Sequence, residues 1–175
     1  MDHLDNIFGK RNLLDLSKKV FNTVLNEDVF YEENEVNLNS EIFKAETINF
    51  VLADGLGTEN LKMSRSDFLN NSNSFSVNST YPSSTYVALC TINYVSKPVD
   101  TGILGYYLFD ENEHGLINAL NWNQENKSIL KDVDIKDNKT IWTILKSKGV
   151  TSNNIQPKDL IHSALSEYIL SLIHI

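Results

Sequence analysis

Cysteine is nearly absent from this sequence: Cys90 stands alone among 175 residues, so no intrachain disulfide can form. It lies in the apolar run Val87-Ala88-Leu89-Cys90, where a small buried hydrophobe fits better than a reactive thiol. Positive charge is also scarce, with 15 Lys and Arg against 23 Asp and Glu, a net charge of −8 and a pI near 4.9. No block of Lys and Arg interrupts that balance. Sequence-independent binding to DNA, RNA or an anionic membrane relies on clustered positive charge, so neither nucleic acid nor membrane is expected as a large partner. Long apolar runs are missing too: no stretch approaches 18 apolar residues, and no membrane span is expected. The first residues, Met1-Asp2-His3-Leu4-Asp5, have neither the basic start nor the apolar middle of a signal peptide, so a cytoplasmic location is expected.

What is present suffices for a core. At 41% hydrophobic, 10% aromatic and a mean hydropathy of −0.26, the chain is neither fibrous nor wholly disordered. The length fits one domain or part of a larger one. The 22 asparagines, often in runs such as Asn70-Asn71-Ser72-Asn73, reflect an AT-rich genome, and a bacterial source is expected.

Residues 13–25 set Leu14, Val20, Phe21 and Leu25 near helical spacing with Lys18 and Lys19 on the other side, which predicts an amphipathic helix. The acidic, Asn-rich stretch 26–40 has no period and reads as a surface connection. Ile48-Asn49-Phe50-Val51-Leu52-Ala53 reads as a buried parallel strand that ends in the turn Asp54-Gly55-Leu56-Gly57. A short helix is predicted at 66–69, a second strand at 74–79 and a helix at 87–95, with Pro82 and a hydroxyl cluster marking its start. Tyr106-Tyr107-Leu108-Phe109 and 115–122 flank Asp110-Glu111-Asn112-Glu113 at a spacing suited to a hairpin. A helix over 140–148 stops at Gly149, with a further strand at 150–156 and a helix at 157–169. Strands alternating with helices predict an α/β layer fold.

Open α/β sheets bind ligands beyond the carboxyl ends of their strands. Two residues occupy such positions. Asp54 follows the first apolar strand between glycines that permit close backbone approach, and its carboxylate suits a hard or borderline metal ion. The other reading of Asp54 is a turn former. Thr85 opens a helix, where backbone N–H groups and the helix dipole favour phosphate. A hydroxyl is a weak nucleophile until a base or metal activates it, and a metal held by Asp54 could do so. The other reading of Thr85 is an N-cap, a role that Ser83 or Ser84 could fill equally well.

The segments Phe50-Val51-Leu52-Ala53-Asp54-Gly55-Leu56-Gly57, Tyr81-Pro82-Ser83-Ser84-Thr85, and Pro98 with Gly102-Ile103-Leu104-Gly105-Tyr106 together resemble the type I phosphodiesterase/nucleotide pyrophosphatase family of the alkaline phosphatase superfamily. Leu120-Asn121-Trp122 and Thr140-Ile141-Trp142 look like its bacterial branch, and the resemblance spans 48–169. It implies an α/β, alkaline-phosphatase-like sheet with helices on both faces, of which this chain holds the N-terminal part. It also implies a phosphate-ester or nucleotide substrate and two divalent ions, usually zinc. Asp54 then matches the first metal-binding aspartate, and Thr85 the metal-bound nucleophile that is transiently phosphorylated. Two departures stand out: Thr101 replaces the family's His before Gly102, and Tyr106 stands where some members place an oxyanion-binding Asn.

The family's remaining ligands, a further Asp, an Asp-His pair and a late His, have no counterpart here. His162 reads as a helix-surface residue, His114 as a hairpin-tip residue and His3 as part of a frayed terminus. Each zinc needs about three or four ligands, so Asp54 and Thr85 alone cannot hold a dinuclear site, and the chain alone is expected to be inactive. The last residues, Leu170-Ser171-Leu172-Ile173-His174-Ile175, match what CTG TCT CTT ATA CAC ATC encodes, a string resembling the transposase end sequence of sequencing adapters. The expected organisation is therefore an N-terminal helix and acidic connection over 1–45, the catalytic-domain part over 46–169, and a non-native tail over 170–175. Two alternatives to the phosphodiesterase are a non-catalytic α/β interaction domain derived from the same fold, and a phosphomonoesterase or mutase-like enzyme, although those often use Ser where this chain has Thr85.

Overall fold

A computed structural model describes residues 11–31, 36, 45–110, 115–118 and 139–155. Helix α1, Leu13–Leu25, begins where the Asn12 side chain accepts from the Asp15 N–H at 3.0 Å. It ends at Asn26, which takes the left-handed conformation (φ 51) and returns its N–H to the carbonyls of Asn22 and Thr23. The buried Asn22 side chain then catches the departing chain. Its Nδ2 donates to Phe30 O at 2.8 Å, and its Oδ1 accepts from Phe30 N at 2.9 Å, so one side chain satisfies both backbone groups of Phe30.

Two short helices follow, α2 (Thr58–Lys62) and α3 (Asp67–Asn70), the latter capped by Ser66. Helix α4, Thr85–Tyr94, carries buried residues on every side, among them Tyr86, Val87, Cys90, Thr91, Ile92 and Tyr94. A helix apolar all round belongs in the interior, and α4 lies between α1 and α6 (Ile141–Ser147), the last helix among the described residues. Leu14 and Phe21 of α1, Ile92 and Val95 at the end of α4, and Ile141 and Leu145 of α6 form one core cluster. Val95 closes α4 at φ 50, a region β-branched residues rarely adopt; its burial in that cluster holds a conformation the backbone alone disfavours. Trp142 Nε1 donates to Asn93 Oδ1 at 2.6 Å and ties α6 to α4.

After α4 comes α5, Pro98–Thr101, with Pro98 in its first turn and Gly102 past its end at φ 69. Strands β1 (Tyr107–Asp110) and β2 (Gly115–Asn118) then pair antiparallel, Tyr107 against Asn118 and Asp110 against Gly115, which is the expected hairpin. Helix α6 starts at the Thr140 cap and stops before Gly149 (φ 74), as its glycine signal predicts.

The architecture of the described residues is thus mixed, helices with one small two-stranded sheet. Three strand expectations are corrected. Residues 48–53 form no regular element rather than a buried parallel strand: no strand lies beside them among the described residues, and Phe50, Val51 and Leu52 are exposed. Residues 74–79 make only a single parallel bridge, Asn12 to Asn78, through Leu13 N to Asn78 O and Asn78 N to Arg11 O, both 2.9 Å. Residues 150–155 form no strand, because the only described ladder is the hairpin. Extended apolar residues become a strand only with a hydrogen-bonded neighbour. The expected helix at 157–169, Leu120-Asn121-Trp122, the hairpin tip and the tail at 170–175 lie outside the described residues, as does most of 26–40. No described helix is long and apolar enough to cross a membrane.

Candidate functional site

The turn holding Asp54 closes through Leu56 N donating to Ala53 O at 3.4 Å. Gly55 sits at its third position with φ 75, the position at which a type II turn requires positive φ. Asp54 is therefore the second residue of a tight turn, with its carboxylate in solvent. Phe50, four residues earlier, lays its ring against Phe21 of α1, centroids 6.3 Å apart.

Thr85 is the first residue of α4. The cap is Ser84: its backbone is extended (φ −99, ψ 152), and its side-chain oxygen accepts from Val87 N at 3.5 Å while its carbonyl accepts from Ala88 N at 3.0 Å. Of the two readings of Thr85, the cap is thereby excluded, and its hydroxyl is left for other work. The N–H groups of Thr85 and Tyr86 have no acceptor within the helix, and the first turn carries no acidic side chain to offset the dipole.

The two sequence candidates meet. Thr85 Oγ1 donates to Asp54 Oδ2 at 3.3 Å across 31 residues of chain, in an exposed position. That is long for an O–H···O bond, which centres near about 2.7–2.8 Å. Among the described residues the Asp54 carboxylate accepts from no other group. Tyr86, the next residue of α4, is buried, with the ring of Tyr106 edge-on against it at 5.2 Å and 64°. Burial lifts the Tyr86 phenol far above its ordinary value, with smaller contributions from Cys90 and Tyr106. Burial likewise pushes the Cys90 thiol up to about 12, the inert, packed cysteine its apolar run predicts.

Whether these residues suit a divalent ion can be judged from the pair itself. Both groups offer hard oxygen donors facing solvent, and two oxygens at about 2.0 Å from a tetrahedral zinc lie about 3.3 Å apart, close to the observed separation. The pair fits two ligand positions. No group of three or more His, Cys, Asp or Glu suited to a metal occurs among the described residues, and His3, His114, His162 and His174 all lie outside them. Thr101, before Gly102, is buried: its hydroxyl donates to Pro98 O at 3.0 Å and accepts from Ile103 N at 3.4 Å, so it fastens its own turn. Sequence reasoning passed over two contributors. Ser84 as the cap was legible only as one of three hydroxyls in a row, and nothing in the sequence signals that Phe50 meets Phe21.

Comparison with known proteins adds no name: no family description, curated protein or solved structure matches the chain.

Proposed function

We propose that this chain supplies the nucleophile and one metal-binding carboxylate of a metal-dependent phosphodiester hydrolase of the phosphodiesterase/nucleotide pyrophosphatase type, built on the alkaline-phosphatase-like α/β fold. The observation that carries the reading is the meeting of Thr85 Oγ1 and Asp54 Oδ2, 3.3 Å apart at the N-terminus of α4. A bound divalent ion, two zincs by the family resemblance, would lower the pKa of the threonine hydroxyl and neutralise phosphoryl charge. Asp54 and Thr85 would hold it together with ligands from outside the described residues.

Thr85 Oγ1 attacks phosphorus, the ester bond to the leaving alcohol breaks, and a phosphothreonine remains at the head of α4. With the ion bound, the Thr85 proton would pass to water and the departing alkoxide would take one from water, while Asp54 would hold the ion beside Oγ1. The free N–H groups of Thr85 and Tyr86 face the phosphoryl oxygens, where the helix dipole adds to their attraction for anionic charge. Water then attacks phosphorus, releasing phosphate monoester and restoring the hydroxyl.

The test uses the full-length protein and bis-p-nitrophenyl phosphate as substrate, with zinc and with chelator. The reading expects zinc-dependent turnover that falls to background in Thr85→Ala and drops steeply in Asp54→Asn. Turnover unchanged in Thr85→Ala, or no turnover with any divalent ion, would overturn it.

A further inference from the structure

Phe21, on a helix that contributes no site residue, shares a core cluster with the helix that carries Thr85 and meets a ring on the segment that leads to Asp54. Phe21, 5% exposed, lies in the core cluster with Ile92, which is two turns along α4 from Thr85. Its ring also meets that of Phe50 at 6.3 Å with the planes at 44°, and Phe50 lies four residues before Asp54. Between Phe50 and Asp54 the chain makes no strand pairing, and Val51, Leu52 and Ala53 are exposed. The Phe50 ring is thus the anchor nearest to Asp54 on its N-terminal side. From the geometry we infer that Phe50, seated on Phe21, is a positioning residue that fixes the distance between Asp54 and Thr85. This rests on the proposed phosphodiesterase reading only for its effect on turnover, and not for its effect on the pair itself.

The contact suits that task because it is not a core contact. Phe50 is 43% exposed, so truncating it leaves the Leu14–Phe21–Ile92–Val95–Ile141–Leu145 cluster intact. What it removes is a ring contact that restrains the segment leading to Asp54, which among the described residues also meets α4 through the long Asp54–Thr85 bond. A displacement of about 1 Å between reacting groups can cost on the order of 10²-fold in rate. A bulky apolar side chain at position 50 that still reaches Phe21 preserves the restraint.

Two readouts separate this inference from the function. In the metal-free chain, the Thr85 methyl resonance reports the nearby carboxylate. Asp54→Asn should move it, Phe50→Ala should move it in the same direction, and Phe50→Leu should leave it near the native position, with helical circular dichroism unchanged in all three. In the zinc-loaded, full-length protein, Phe50→Ala should lower kcat on the order of 10²-fold with little change in KM, and Phe50→Leu should restore most of it. A Thr85 methyl that moves in Asp54→Asn but not in Phe50→Ala would overturn the inference, as would one that moves in neither variant. Turnover surviving in Thr85→Ala would sink the phosphodiesterase reading while leaving the resonance experiment to decide the role of Phe50.

Discussion

Replacing Ile141 with alanine tests the core that holds α4, and with it Thr85, in place. Ile141 is fully buried among Leu14, Phe21, Ile92, Val95 and Leu145. The change removes three methylene equivalents, about 0.8 kcal/mol each in lost transfer free energy, and leaves a cavity that three packed helices cannot fully close. The expected loss is about 3 kcal/mol, a large share of the roughly 5–15 kcal/mol that holds a domain folded. At this chain length each kcal/mol lowers Tm by about 2–4 °C, so the fall should be roughly 6–12 °C. The assay is urea unfolding followed by circular dichroism at 222 nm, reading the midpoint at constant slope. Ile155, 97% exposed, provides the control, and Ile155→Ala should change stability by less than about 0.5 kcal/mol. An Ile141→Ala loss below about 1 kcal/mol, or equal losses at the two positions, would refute the three-helix core.

Other changes probe single links. Asn22→Ala removes both hydrogen bonds to Phe30 and should cost about 1–3 kcal/mol in the same unfolding assay; a neutral result would show that the 26–31 return is not held by that side chain. Gly149→Ala meets no atom within 4 Å but must adopt φ 74, so its cost of about 1–2 kcal/mol is purely conformational. Cys90, raised from its ordinary 9.0 to about 12, binds its proton more tightly folded than unfolded. The stability this contributes is complete below pH 9.0 and is lost as pH rises toward about 12. Cys90→Ala should flatten the alkaline arm of the stability profile, and a thiol reagent near pH 8 should label native Cys90 no faster than the chain unfolds.

How much of this was legible follows from the range of each interaction. Helix α1 could be read because its apolar spacing is local, and α6 because Thr140 and Gly149 punctuate it. The hairpin announced itself through a polar tip between two apolar runs. Residues 48–53 misled because β-branched composition reports the taste of a segment for extended backbone, whereas a strand also needs a partner that composition does not name. At the candidate site, Asp54 and Thr85 were individually legible as a turn carboxylate and a helix-opening hydroxyl. Their meeting across 31 residues was implied only by the family resemblance, since no local rule pairs a turn with a helix terminus. Ser84 could not be separated from Ser83 or Thr85 as the cap by residue type, because all three hydroxyls satisfy the same preference. The Phe21–Phe50 contact had no sequence signal, because two aromatics in apolar surroundings carry no mark of which ring each will meet.

The central claim is that Thr85 becomes covalently phosphorylated during turnover. The most direct measurement is acid quenching of the zinc-loaded, full-length protein during hydrolysis of bis-p-nitrophenyl phosphate, followed by peptide mass spectrometry across residues 81–97. The account predicts a phosphoryl ester of p-nitrophenol on Thr85, absent from Thr85→Ala and from chelated protein. Rapid turnover with no adduct at Thr85, or an adduct that persists on another residue when Thr85 is replaced, would contradict it.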